Sequence, residues 1–196
     1  MRKIYIIASL LLVSFLIVSG CGGGGTGGTG GEDTGISINV SFSVETPNLD
    51  AAIHCCAVDD EGICTEVEEG LFDNFATMSI TAELVNPSFD TFPARVTQCR
   101  ITYLRTNEDP ASPIIQSWDR YPNCLFVDGI TECEVDLIDI DKKVVWWSDI
   151  TSGLFVPAGR PTNYVAFYQC EYENKWGESE DFEGRISFRL DDYDVC

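Results

Sequence analysis

From Ile36 to Val44 apolar and polar residues alternate strictly: Ile36, Ile38, Val40, Phe42 and Val44 are separated by Ser37, Asn39, Ser41 and Ser43. Only an extended chain, whose successive side chains point to opposite faces, puts all five apolar residues on one side. The period recurs where Met78, Ile80, Ala82 and Leu84 alternate with Thr77, Ser79, Thr81 and Glu83. Asn86-Pro87 then stops that strand, because proline has no N–H to give to a ladder. Val96 to Leu104, Ile130 to Ile140, Tyr164 to Tyr172 and Arg185 to Leu190 are further strand segments, rich in β-branched and aromatic residues and bounded by turn formers. No helical stripe of useful length interrupts them. About seven strands with one apolar face each must bury those faces against one another, which predicts an all-β antiparallel sandwich. The span 35–196 is long enough for one domain with its own core.

The segment before that domain reads as an address. Met1-Arg2-Lys3 is followed by Ile4 to Val18, apolar except for Tyr5, Ser9 and Ser14, so residues 1–20 have the basic start, apolar middle and small-residue exit of a secretory signal. The run is shorter than the ~20 apolar residues of a bilayer span. Val18-Ser19-Gly20-Cys21 resembles the lipobox of bacterial lipoproteins, in which the cysteine becomes the first mature residue and carries the lipid. The resemblance implies lipidation at Cys21 and a membrane partner reached through the anchor. Because Gly22 rather than Asp comes next, it implies an outer-membrane or cell-surface location. Several acyl chains are needed because one alone holds only marginally. Residues 21–34 then read as a tether: the tract 22–31 is all glycine and threonine, unable to bury apolar surface.

The chain carries 12 basic against 32 acidic residues, a formal charge of −20. Losing Arg2 and Lys3 with the signal makes the mature chain more acidic still. Such a surface repels phosphate backbones and anionic lipid, which excludes nucleic acid as a partner. A protein or glycan at the cell surface remains.

Setting Cys21 aside leaves eight cysteines: Cys55, Cys56, Cys64, Cys99, Cys124, Cys133, Cys170 and Cys196. An even number in an exported domain reads as disulfides, with on the order of a hundred connectivities. One pair comes from a turn. Asp128-Gly129 is a two-residue hairpin signal, and the register it sets pairs Val127 with Ile130, Phe126 with Thr131, Leu125 with Glu132, and Cys124 with Cys133. Cys99 shares a face with Ile101 and Tyr103, and Cys170 with Ala166 and Tyr168, so both sulfurs point coreward. Tyr168-Gln169-Cys170 resembles the tyrosine-corner end of immunoglobulin-like domains. That resemblance implies a Cys99–Cys170 bridge between sheets and a buried indole from Trp118, Trp146 or Trp147, in an immunoglobulin-like or fibronectin-like sandwich. Bridging Cys55 to Cys56 would strain their shared peptide, so Cys64 takes one of them and Cys196 the other.

Catalytic parts are not recognisable. His54 is the single histidine, no Gly-x-Ser-x-Gly elbow or zinc-protease helix accompanies it, and carboxylates are too many for one pair to stand out. His54 with Cys55, Cys56 and Cys64 could form a zinc set, but adjacent thiolates fit one tetrahedron poorly and disulfides are the expected state. Two binding readings accompany the non-catalytic one. Asp139, Asp141, Asp191, Asp192 and Asp194, with Asp136 and Asp59-Asp60-Glu61, could hold Ca²⁺ through oxygen ligands in loops at strand ends. Trp118, Trp146 and Trp147, with Tyr121 and Trp176, could form an aromatic platform for sugars or protein. On a strand, Trp146 and Trp147 would face opposite ways. No other cofactor is implied.

Overall fold

The computed structural model describes residues 24–29, 31, 33–52, 55–67, 71–106 and 111–193. In chain order the elements are β1 (Gly24–Thr29), β2 (Ile36–Ser43), β3 (Asn48–Asp50), β4 (Cys55–Val58), β5 (Cys64–Val67), β6 (Asn74–Leu84), β7 (Ala94–Arg105), β8 (Trp118–Arg120), β9 (Cys124–Phe126), β10 (Gly129–Ile138), α1 (Ile140–Thr151), β11 (Thr162–Glu173) and β12 (Ser179–Asp191). One layer runs β12-β11-β7, with β8 and β9 on the far side of β7; the other runs β10-β6-β2. Their pairings are antiparallel, while the short β3 joins β12 in parallel. The protein is an all-β sandwich. Its six long strands are those the alternation and composition mark, and six short ones bring the total among the described residues to twelve, against about seven expected.

The buried side of each long strand follows the period of two. Ile36, Ile38, Val40 and Phe42 of β2, and Ala76, Met78, Ile80 and Ala82 of β6, meet Tyr164, Ala166, Tyr168, Cys170 and Tyr172 of β11 and Phe182, Ile186, Phe188 and Leu190 of β12. In β7 the phase slips: Ala94 and Val96 face the core, and so do Cys99, Ile101 and Tyr103. The slip lies where Val96 pairs with Tyr172 but Gln98 with Glu171, a bulge that leaves Thr97 unpaired in the ladder and re-aims the rest of the strand. Gly184 of β12 leaves room rather than bending the chain, since a Cβ there would run into the ring of Phe42. That ring stacks on Tyr168 with centroids 4.4 Å apart.

Glycine tract 22–31, read as tether, partly joins the fold. Gly24 and Gly25 pair with Ile186 and Arg185 of β12, and Thr26 to Thr29 with Ser41 to Ile38 of β2, so β1 closes the seam between the sheets. A seam needs backbone donors and acceptors and no side chains, which glycine supplies. Composition measures what side chains can bury and is blind to that demand.

Both expected disulfides form, but neither by the expected geometry. Cys99 and Cys170 are direct partners on neighbouring β7 and β11, Cα atoms 4.0 Å apart, so the bridge lies within one sheet rather than between two. The Asp128-Gly129 hairpin ladder is absent: β9 pairs with β7, and β10 with β6. Each strand finds a longer partner than the other could offer. Asp128-Gly129, with Gly129 at φ 100°, instead carries the chain from one sheet to the other. The Cys124–Cys133 bridge, Cα atoms 5.7 Å apart, spans the sheets instead. Cys55 and Cys56 are also disulfide-bonded. The pairing with Cys64 and Cys196 rests on side chains outside the described residues, as does His54.

Tyrosines do the remaining cross-sheet work. Tyr103 of β7 donates to the Leu137 carbonyl of β10, Tyr168 of β11 to Asp136 O at 2.9 Å, and Tyr172 to Ile36 O at 2.9 Å. Tyr168 thus reaches the opposite sheet instead of making a local corner. Burial pushes the Tyr103 and Tyr168 phenols well above the ordinary tyrosine range. An unfolded phenol releases its proton near pH 10. The native state keeps these two protons to higher pH, so their contribution is whole below pH ~10 and is lost as pH rises beyond it. Above pH ~11, where unfolded phenols and lysines have mostly lost their protons, each phenol should steepen the loss by about 1.4 kcal/mol per pH unit. Urea titrations between pH 11 and 12 check this, and Tyr103→Phe should make the loss shallower by one such slope.

Candidate functional site

The expected strand Ile130 to Ile140 ends at Ile138, and the chain turns into α1. Asp139 caps the helix, its side chain accepting from Lys142 N at 2.9 Å, while Asp73 accepts from Ile140 N at 2.8 Å. Within the helix Lys143, Trp146 and Ile150 are buried. This three-residue stripe is too sparse to stand out among the β-branched neighbours Val144 and Val145. Lys143 sends its ammonium to Phe72 O at 2.9 Å; burial pulls its pKa down, against the pull of Asp50 and Asp73.

The helix decides the fate of the candidate tryptophans. Trp146 and Trp147 do not face opposite ways from a strand; their rings stack at 6.3 Å. Trp146 is 1% exposed and donates from Nε1 to Tyr164 OH at 2.8 Å, and that hydroxyl donates to Pro113 O at 2.8 Å. Trp147 is half-buried, with the Arg160 guanidinium 5.2 Å from its ring. Trp118 lies on β8 with Arg120 at 3.4 Å and Lys142 Nζ at 3.6 Å from its ring centre. Its π-system is occupied by the chain's own cations. None of the three is an open platform.

The acidic candidates also have structural work. Asp139 Oδ2 sits 3.1 Å from Lys142 and 3.7 Å from Arg120, whose Nε is 3.3 Å from Asp136. Asp141 is exposed in the first turn of α1, where its charge favours the helix dipole. Asp191 lies 3.7 Å from Arg160, and Asp192 beside it is half-buried. Asp194 lies outside the described residues. Asp59 accepts from Glu61 N at 3.0 Å and Ile63 N at 2.8 Å, closing the β4–β5 turn. Among the described residues no three His, Cys, Asp or Glu side chains converge on a metal position.

An exposed aromatic pair does occur elsewhere. A groove of about 680 Å³ runs between the Val85–Thr91 loop and the β11–β12 turn, with Gly31, Asp33, Thr34 and Gly35 on a third side. Trp176 and Phe89, 69% and 68% exposed, line it. Both loops are braced from within. Buried Asn174 accepts from Trp176 N at 2.9 Å and Glu178 N at 3.1 Å, and donates to Thr34 O at 2.9 Å and Glu178 Oε2 at 2.8 Å. Gly177 supplies the left-handed turn at φ 85°. Opposite, Asn86 accepts from Ser88 N at 3.0 Å, and Asp90 from Phe92 N at 3.2 Å.

The loops are also clamped to each other. Lys175 N donates to Thr91 O at 3.3 Å, and Lys175 Nζ meets Asp90 Oδ2 at 2.6 Å. This hydrogen bond, then that from Phe92 N, holds the Asp90 carboxyl below its ordinary range. Two large aromatics are thereby presented to solvent from hydrogen-bonded turns. In the sequence Trp176 stands only as an accessory to the other tryptophans; the Asn174-Lys175-Trp176-Gly177 turn is the signal that places it at a loop tip.

Comparison with known protein families, curated proteins and solved structures returns no match. The disulfides point to an oxidising, extracytoplasmic compartment. No helix among the described residues is long and apolar enough to cross a membrane.

Proposed function

We propose that this chain is a membrane-anchored extracytoplasmic lipoprotein, held by lipid on Cys21, that presents its sandwich as a non-catalytic binding module in an adhesion, assembly or accessory role. The clamped groove carries the reading. Its aromatics are exposed and pre-positioned, while Asp90 is engaged by Lys175 and Glu178 by Asn174, so these carboxylates serve the frame. The resemblance of Val18-Ser19-Gly20-Cys21 to a lipobox supports the anchor and the surface location. The acidic charge supports a soluble, outward-facing domain.

Expression of the full chain with radiolabelled palmitate tests the anchor. The wild type is expected to take up label and sediment with membranes, and Cys21→Ala to lose both. Wild-type protein recovered unlabelled in the soluble fraction would overturn the reading.

A further inference from the structure

We propose that the groove between the Val85–Thr91 loop and the β11–β12 turn binds a neutral saccharide chain stacked on Trp176 and Phe89. The inference rests on the binding-module reading and names its ligand class.

A sugar ring presents two surfaces. Its C–H faces carry slight positive charge and suit the negative face of an aromatic ring, while its hydroxyls at the edge both donate and accept. The groove offers the complement of each. Trp176 and Phe89 supply two exposed rings, and Asn86, Ser88 and Asp33 supply amide, hydroxyl and carboxylate groups along the walls. At about 680 Å³ it falls within the range of ordinary small-ligand sites and can take a few rings of a chain. Because Asn174 and the Lys175–Asp90 pair already fix both loops, little ordering is left for the ligand to impose.

Charge narrows the class. Asp33, Asp90 and Glu178 line the groove of a protein whose formal charge is −20, so uronic or sulfated chains are repelled. A cationic peptide would suit acids and aromatics in general, but that place is taken. The chain's own Lys175 ammonium is held 2.6 Å from Asp90 and stands back from the Trp176 ring at 5.2 Å, so the acid is engaged while the ring is left uncovered. A wholly apolar ligand would strip water from the Asp33 carboxylate and the Ser88 hydroxyl without replacing it. A neutral saccharide conflicts with none of these.

The test uses the full-length protein in detergent, passed over immobilised cellulose, xylan, mannan and starch, with dextran sulfate and an oligolysine resin alongside. At least one neutral polysaccharide should retain it, and Trp176→Ala and Phe89→Ala should each weaken retention about tenfold or more. Both side chains are exposed, so the variants should melt with the wild type; a melt in parallel verifies this. Failure of all four neutral resins, retention indifferent to Trp176→Ala and Phe89→Ala, or preference for oligolysine would each overturn the proposal. These outcomes are separate from the anchor. A labelled, membrane-bound protein that ignores neutral polysaccharides loses the ligand and keeps the module, whereas an unlabelled soluble one that is retained loses the anchor and keeps the ligand.

Discussion

Replacing Cys99 and Cys170 together by alanine is expected to lower the unfolding free energy by about 4 kcal/mol. The bridge joins residues 71 apart in sequence, and the closed loop contains β8, β9, β10 and α1. Most of the effect belongs to the unfolded chain, which regains the freedom that closure removed. Little contact is lost in the native state, because β7 and β11 stay hydrogen-bonded on both sides of the pair. The Cys124–Cys133 bridge closes a loop of 9, so its removal should cost less, about 2.5 kcal/mol. It alone of the two spans the sheets, however, and its loss should free β9 and the exposed Leu125, Val127 and Ile130 around the crossing. Urea unfolding of the two double variants under non-reducing conditions checks the order. An equal loss in both would refute the loop-entropy account.

Trp146→Ala should destabilise the protein by about 3–5 kcal/mol, the range for emptying a large buried aromatic site. The indole is among the largest fully buried side chains, and it fixes α1 to the sandwich through Tyr164 and, beyond it, Pro113. Trp146→Phe keeps most of the volume and loses the N–H, so it should cost about 1 kcal/mol from the hydrogen bond plus a smaller cavity term. Denaturant midpoints and the near-ultraviolet circular dichroism of the stacked Trp146–Trp147 pair give the readout. If alanine costs no more than phenylalanine, the helix is not docked through this residue.

The groove and the helix show which signals a linear pattern carries. β2, β6, β11 and β12 were legible because each keeps one face buried along its whole length, so local alternation and tertiary packing make the same demand. Helix α1 was not. Its stripe is three residues, Lys143 among them, and Val144, Val145, Trp146 and Trp147 carry strand preferences that docking overrides. The Asp139 cap was the usable clue, hidden by the many acidic residues around it. The candidate site was legible only in part, because Trp118 and Trp176 look alike as letters. What separates them is that Arg120 and Lys142 press on one at 3.4 and 3.6 Å, while an Asn174 turn holds the other out in water with Lys175 no nearer than 5.2 Å.

Residue order by itself determined the all-β sandwich and the oxidised state, since periodicity and the parity of cysteines are properties of the chain; the two cysteine pairs were expected from a hairpin register and from a resemblance, and both form by another route. Tertiary structure decided where those pairs act. Cys99 and Cys170 became neighbours in one sheet because β7 lies beside β11, and Cys124–Cys133 came to join the sheets because β9 and β10 each found a longer partner elsewhere. It likewise drew part of the glycine tract into the seam and brought the Val85–Thr91 loop against the β11–β12 turn. The physical reason is common to all of these. Which strand lies beside which is settled by the burial and hydrogen bonding of the whole sheet, a sum over distant residues that no local pattern contains.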